Sequence, residues 1–319
     1  MRLVVIFADR EPRVTGSSTD GSASALKSQL SVVVASVNTN SLLCKCLAAL
    51  VAQATPESIE VIVVRDAQRS NSSDRAIARA QFPCVRWVDA APGSTVPQLR
   101  DRGFIESRGD IVAFIEDDCV VRPGWCEAAT AALHGLAIAV GGAVEPGAYR
   151  RAIDWAVYFC EYGQFMLPVS SAATASLPGN NVVYERRALG RDGFCDVFVP
   201  STVRRADAAT AVTDTLVVEN VNSWSMRHVT SVPYHHGRAY AGKRFGPKGP
   251  IARVAIGVGA LSLPVVKSFR IIVSTLSRKR LVGKLIQALP LVLLFTTSWS
   301  LGETMGCLFG AGDSPARWR

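Results

Sequence analysis

The sequence predicts an α/β protein: a doubly wound, mostly parallel sheet followed by C-terminal apolar helices. Three observations carry this. Short β-branched apolar runs alternate with helix-spaced segments through the first 115 or so residues. The 319 residues are 49% hydrophobic and 19% charged, which excludes a disordered chain and a coiled coil. The longest apolar runs and the positive charge both sit in the last third. Residues 1–226 hold 21 Lys+Arg against 24 Asp+Glu, a balance of −3. Residues 227–319 hold 14 against 2, or +12, which accounts for the formal charge of +9. A basic, apolar tail behind a slightly acidic body points to an anionic membrane surface rather than to nucleic acid.

Residues 12–28, rich in Ser, Gly and Thr, read as a flexible lead-in. Leu30–Val34 (LSVVV) is a short apolar run of the kind that forms a fully buried parallel strand. Ser41 is placed to cap a helix whose Leu42, Leu43, Leu47, Leu50 and Val51 recur at helical spacing. Ile59–Val64 is a second strand, Asp74 a cap for the helix RAIARAQF, and Cys84–Val88 a third strand. Pro97–Ser107 reads as a helix and Asp110–Ile115 as a fourth strand. Such sheets bind ligands at the carboxyl ends of their strands, which singles out Ser36–Asn38, Arg65-Asp66 and Glu116–Asp118. The eight cysteines form no CxxC pair and suit neither a zinc knuckle nor a disulfide framework, so they are expected as buried thiols in a reducing compartment. The apolar run at the N-terminus is too short for a signal peptide, and the bulk of the protein is expected in the cytoplasm.

Glu116-Asp117-Asp118 puts three carboxylates directly after an apolar strand. Their mutual repulsion asks for a cation, and Mg²⁺ or Mn²⁺ in phosphate chemistry takes one or two carboxylates plus the substrate's phosphates. A solvated acidic turn is the alternative.

From Leu30 to Trp125 the chain resembles the family 2 glycosyltransferases of the GT-A, nucleotide-diphospho-sugar fold. The resembling pieces are SVVVASVNTNSLLCKCLAAL, IEVIVVRD and QLRDRGFIESRGDIVAFIEDDCVVRPGWCEAA. PGNNVVYERRAL is similar to the family's acceptor-side segment, and WSLGETMGCLFGAG resembles the tail of bacterial members with a membrane-associated end. The resemblance implies an enzyme that moves a hexose-type sugar from a nucleotide-diphosphate donor to a hydroxyl with inversion, using Mn²⁺ or Mg²⁺. It implies that Asp118 ligates the metal, and that Glu116 contacts the ribose or metal with Asp117 between them. Asp66 would bind the nucleobase, Ser36 and Asn38 would hold base and ribose, and Arg100 would approach the donor phosphates or sugar. Asn180 and Asn181 would orient acceptor hydroxyls, although as turn residues after Pro178-Gly179 they need no such role. An inverting transfer needs a general base, and Asp196 in GFCDVFVPS is the candidate, with Asp192 and Asp214 as rivals. The family commonly has two acidic residues at that point, where this chain has Cys195-Asp196. The Gln-x-x-Arg-Trp motif of processive synthases is absent, so single addition is expected.

His235-His236-Gly237-Arg238 and Lys243-Arg244 concentrate cationic donors. His236, Arg238 and Arg244 are candidates for gripping the diphosphate or a lipid phosphate; a basic interfacial helix is the other reading. The apolar stretches Val254–Val266 and Leu285–Gly302 flank the basic Ser277–Arg280. Two spans would put that basic loop outside, against the positive-inside rule. Helices in the cytoplasmic interface or a re-entrant hairpin are therefore expected, with a buried helical pair or a single span as alternatives.

The expected organisation is a lead-in over 1–28, a GT-A domain over 29–226 and a membrane-associated helical tail over 227–319. The expected setting is cell-envelope polysaccharide synthesis at the inner leaflet, on a lipid-linked or other glycan acceptor. A catalytically degenerate membrane-bound scaffold and a nucleotidyltransferase are the other functions considered; the latter lacks a Gly-rich phosphate loop after the first strand.

Overall fold

The computed structural model describes residues 30–317, apart from 55–58, 67, 69–71, 134–136, 170–175 and 190–209. Strand β1 (Leu30–Ser36) leads to α1 (Asn40–Val51), β2 (Ile59–Asp66), α2 (Ser72–Gln81), β3 (Arg86–Ala90), α3 (Val96–Glu106) and β4 (Ile111–Glu116). There follow β5 (Cys119–Val121), α4 (Trp125–Ala131), β6 (Ala139–Pro146), α5 (Ala152–Glu161), β7 (Asn181–Glu185), α6 (Arg186–Leu189) and β8 (Thr210–Asn220). The chain closes with α7 (Ser231–Phe245), α8 (Pro250–Ala260), α9 (Leu263–Arg278) and α10 (Val282–Phe309).

Eight strands form one sheet in the order β3-β2-β1-β4-β7-β6-β8-β5. The β3-β2-β1-β4 half is parallel. In the other half β7 is antiparallel to β4 and β6, β6 is parallel to β8, and β5 is antiparallel to β8. Strand β1 is apolar throughout because both its faces are covered. Leu30, Val32 and Val34 pack with Leu43, Cys46, Leu47 and Leu50 of α1. Val33 and Ala35 point the other way, into a core shared with Leu99 of α3. A third core joins Tyr149, Trp155 and Phe159 to Leu285, Ala288, Val292 and Phe295 of α10, so the last helix is packed onto α5 and the segment before it.

Several local expectations shift. Helix α1 starts at Asn40 after an extended Thr39, so Ser41 lies inside it, and Asp74 likewise lies within α2. The third strand runs two residues later than Cys84–Val88, starting where its edges pair with β2. The first apolar tail stretch is two helices, α8 and α9, bent by 49°. The basic segment Ser277–Arg280 does not simply project outward. Arg280 makes a two-pronged ion pair with the buried Glu145 and donates to Leu167 O, and Arg278 donates to the carbonyls of Gln164 and Pro168. Two of its three cations therefore tie the α9–α10 turn to the sheet domain, where a buried carboxylate gives them a better partner than a headgroup. The lead-in over 1–28 lies outside the described residues.

Candidate active site

Parallel register aligns the carboxyl ends of the first strands. Ser36 stands opposite Arg65, Ala35 opposite Glu116, and Asp66 opposite Ala90. The strand-end residues singled out above thus share one edge of the sheet, and each has a distinct local partner.

Asp117 is the hub of the loop after β1. Its Oδ2 accepts from Ser36 Oγ at 2.8 Å and from the Asn38 backbone N–H at 2.8 Å, and its Oδ1 accepts from Asn38 Nδ2 at 2.7 Å. Burial pushes this carboxyl up, and the three hydrogen bonds pull it back. Ser36 and Asn38 therefore shape the loop through Asp117. Arg65 clamps the same loop from β2, donating to Asn38 O at 2.8 Å and to Asn40 Oδ1.

Asp66 joins two loops. Its carboxylate accepts from Gln68 N at 2.9 Å and from Gly93 N at 2.6 Å. Replacing it with Ala strands both N–H groups, with an expected stability loss of about 1–3 kcal/mol in thermal or urea melts.

Helix α3 is set by a capping box, Thr95 with Gln98, and by Pro97 in its first turn. Gly103 lets it approach β1 closely, since a Cβ there would collide with the Val33 side chain. One turn earlier, Arg100 is carried to Glu116 Oε1 at 2.7 Å, and both Arg100 guanidinium nitrogens pass against Gly179. Arg100 is 6% exposed.

Asp118 is different. It is 4% exposed and, among the described residues, has no cationic partner: Asn222 Nδ2 donates to Oδ2 at 2.9 Å, the Asn220 side chain also hydrogen-bonds the carboxylate, and the Cys119 thiol lies 3.5 Å from Oδ1. Burial first, then the charges of Glu116 and Asp117, push its carboxyl up to about 7. Of the three adjacent carboxylates, Glu116 has Arg100, and Asp117 has three donors and the nearby charge of Arg65; Asp118 has neutral amide and thiol partners and, among the described residues, no nearby cation. Among the described residues no three His, Cys, Asp or Glu side chains converge to cage a metal. One hard, buried carboxylate fits the open arrangement in which a divalent ion takes most of its remaining ligands from a diphosphate and water.

On the far side, the Pro123-Gly124-Trp125 turn buries the indole, whose Nε1 donates to Asn181 Oδ1 at 3.0 Å. Asn181 Nδ2 donates to Ala143 O and Leu216 O, so this amide braces β6, β7 and β8. Asn180 Nδ2 donates to Cys119 Sγ at 3.3 Å, while its Oδ1 is buried with no hydrogen-bond partner among the described residues. Asn180 is thus the member of the pair with an open acceptor.

The structure adds residues that the sequence reading missed. Asn222 reaches Asp118 across 104 positions, and Asn220 Oδ1 accepts from Tyr149 Oη at 2.8 Å. The apolar Leu216–Val218 followed by ENVNS obeys the same strand-end rule and was the available signal. Glu161, at the end of α5, is pushed up to about 7 by burial; the Glu116 charge adds to this, while Lys267 of α9 opposes it.

Asp196 and Asp192 lie outside the described residues. Asp214 is exposed within β8, six residues before Asn220 and so roughly 20 Å along the strand from the Asp118 end. His236, Arg238 and Arg244 lie on α7, in the helical layer. His236 packs edge-on to Trp299, Arg238 donates to Gly310 O at 3.2 Å, and Arg244 lies over Tyr240. Burial pushes His236 down to about 4, so it is neutral at pH 7 and brings no charge to a phosphate. The folded imidazole binds a proton less readily than the unfolded one, so stability is expected to fall as pH drops below about 6.5. Between pH 7 and 5 this one group is worth about 1–2 kcal/mol, and His236→Gln should flatten that slope in melts across pH.

Comparison with known proteins places this arrangement. The fold is similar, at a TM-score of 0.53 and 15% identity, to the mannosyltransferase PcManGT from Pyrobaculum calidifontis, solved with GDP-Man and Mn²⁺; the match covers 89% of this chain and 88% of that one. TarS 1–349 of S. aureus aligns at a TM-score of 0.46 and 13% identity, over 87% of this chain and 90% of its own. The first of these likenesses gives the fold: an α/β architecture of GT-A type, with apolar helices behind the sheet. Residues 31–170 match the model of glycosyl transferase family 2. The chain is 32% identical over 98 residues to EpsH of Bacillus subtilis (strain 168), a protein named as a glycosyltransferase. That alignment spans 31% of this chain and 28% of EpsH.

Proposed function

We propose that the protein transfers a sugar from a nucleotide-diphosphate donor to a hydroxyl, with inversion and dependence on Mn²⁺ or Mg²⁺. One observation carries the reading: Asp118, buried beside two other carboxylates, has amide and thiol partners but, among the described residues, no nearby cation, whereas Glu116 has Arg100 and Asp117 feels Arg65. In this reading Asp118 holds the divalent ion, with Asn222 and Cys119 fixing its carboxylate. The ion would supply electrostatic stabilisation to the departing diphosphate. Glu116 is held by Arg100 toward ribose or metal, and Asp117 fixes the Ser36–Asn38 loop that cradles base and ribose. Asp66, at the carboxyl end of β2, would bind the nucleobase. Asn180 Oδ1 accepts from a sugar hydroxyl. Asp196 remains the candidate base for removing the acceptor proton. A single-addition reaction on a lipid-linked glycan, in cell-envelope polysaccharide synthesis at the inner leaflet, agrees with the charge of the tail. The change from strands to helices near residue 226 supports a division there, although α10 shares a core with Trp155 and Phe159.

Calorimetry with UDP, GDP and their sugars, with and without Mn²⁺, tests this. Binding of a nucleoside diphosphate that needs Mn²⁺ supports it. Binding of a triphosphate alone favours nucleotidyl transfer, and no binding favours a scaffold. Asp196→Asn is expected to lower turnover at least about 10²-fold while leaving donor affinity unchanged; equal loss of donor affinity would place the base elsewhere.

A further inference from the structure

By length and composition, α10 is the helix that qualifies as a membrane span among the described residues, and the bent α8–α9 pair qualifies if taken as one. Packing argues against both. The first half of α10 lies on α5, inside the family 2 segment, through Leu285, Ala288, Val292 and Phe295. Its second half lies on α7 at backbone contact. A Cβ on Gly302 would strike Tyr234 O, one on Gly306 would strike Arg238 O, and one on Gly237 would strike Trp299 O. α7 carries His235, Arg238, Lys243 and Arg244, so both stretches of α10 are pinned to elements that do not belong in hydrocarbon. The α8–α9 pair fares no better as a span, because Lys267 and Arg270 fall near its middle. Individually, 11 and 16 residues rise only about 16 and 24 Å, short of a ~30 Å hydrocarbon layer.

The exposed surface shows what the pair does instead. Of seventeen large apolar side chains exposed among the described residues, nine lie between Ile251 and Leu276, among them Ile251 at 86%, Val265 at 73% and Phe269 at 64%. Residues 220–302 hold twelve Lys or Arg and no Asp or Glu. Arg270 lies beside this apolar surface, and Lys243, Arg244 and Lys248 are exposed at the α7–α8 corner. The inner side of α9 packs on α10: Lys267 lies 3.8 Å from the Trp299 ring centroid, Ser268 Oγ meets Thr296 Oγ1 at 3.3 Å, and Lys267 is within electrostatic reach of Glu161 at the end of α5.

The geometry points to a monotopic membrane-docking face made of the outward sides of α8 and α9, with α10 as the spine that fixes it to the catalytic domain and not as a membrane anchor. Its partner is the surface of a bilayer containing anionic lipid. Apolar side chains enter the acyl boundary and the cationic rim meets the headgroups. This deepens the proposed inner-leaflet placement and rests on it for the identity of the leaflet alone. It sets the helical layer against the membrane, where a lipid-borne acceptor would be presented.

Flotation of the full chain with vesicles of 30% phosphatidylglycerol in phosphatidylcholine, and of phosphatidylcholine alone, reads the partner. Binding to the anionic vesicles, weakened by 0.5 M NaCl, is expected. Phe269→Glu should reduce it at least about tenfold, and Ile77→Glu, on the sheet domain, should leave it unchanged. Equal binding of Phe269→Glu and the parent protein would overturn the docking face, as would a defined dimer in lipid-free solution that ignores vesicles. Epitope tags placed at Gly249 and after Arg319 should be digested from the same side of sealed membranes; opposite sides would make α10 a span and end the proposal. Calorimetry with Mn²⁺ and nucleoside diphosphates on Phe269→Glu shows that the catalytic half is folded. Vesicle binding without any donor binding in the parent would count against the transferase reading and leave the docking face standing.

Discussion

Asp118→Asn is expected to abolish Mn²⁺-dependent donor binding and to lower kcat/KM at least about 10³-fold, roughly 4 kcal/mol of transition-state stabilisation. The same substitution should leave the fold as stable as before or more so. The Asp118 carboxyl is pushed up to about 7 by burial and by its two acidic neighbours, so the folded protein binds its proton more tightly than the unfolded chain does. In the absence of metal, the charged form therefore costs stability as pH rises from about 4 to 7, and a neutral amide of the same shape removes that cost. Activity falling while Tm holds or rises is the pattern of a residue kept for chemistry. Melting curves and metal titrations on one preparation read both. Normal turnover by Asp118→Asn would remove the metal role.

Arg280→Ala is expected to have the largest effect on stability, about 3 kcal/mol, or a fall in Tm of roughly 5–10 °C. Glu145 is 3% exposed, and its two oxygens are met by the two terminal nitrogens of Arg280, with Leu167 N donating to one of them. Removing the guanidinium strands a buried charge that has one remaining donor. Arg280→Lys should recover only part of the loss, because one ammonium cannot serve both oxygens. Arg280→Ala together with Glu145→Gln should be less damaging than Arg280→Ala alone, since the pair is then discharged; thermal melts of the three proteins test this. Because the contact sits at the α9–α10 turn, the melt should be led by the helical tail, and limited proteolysis should cut there first.

The parallel half of the sheet was legible because its strands are buried on both faces and read as unbroken apolar runs. The candidate site was legible for the same reason: the ends of those runs are local marks. The register ends Ser36, Asp66 and Glu116 at one edge, and hydrogen bonds tie Asn38 and Asp117 to Ser36 there, with Asp118 next in the chain. The other half of the sheet was not legible. β5 has three residues, and β6 (AVGGAVEP) carries two glycines and only a partial apolar pattern, so pairing decides them more than propensity does. The division of labour among the carboxylates was also hidden. Adjacent residues of one chemical type look equivalent until Arg100, Asn38 and Asn222 arrive from different elements and treat each differently.

The sequence by itself determined the parallel strands, the acidic strand end and the asymmetry of charge, because burial on two faces and the termination of a strand are written in consecutive residues. Tertiary structure alone decided which carboxylate lacks a cation, which asparagine keeps an open acceptor, and how the tail lies. A long apolar helix has the same composition whether it faces lipid or a protein core. For α10, the glycine contacts with the α7 backbone and the packing against α5 make that choice, and both depend on residues more than 50 positions away.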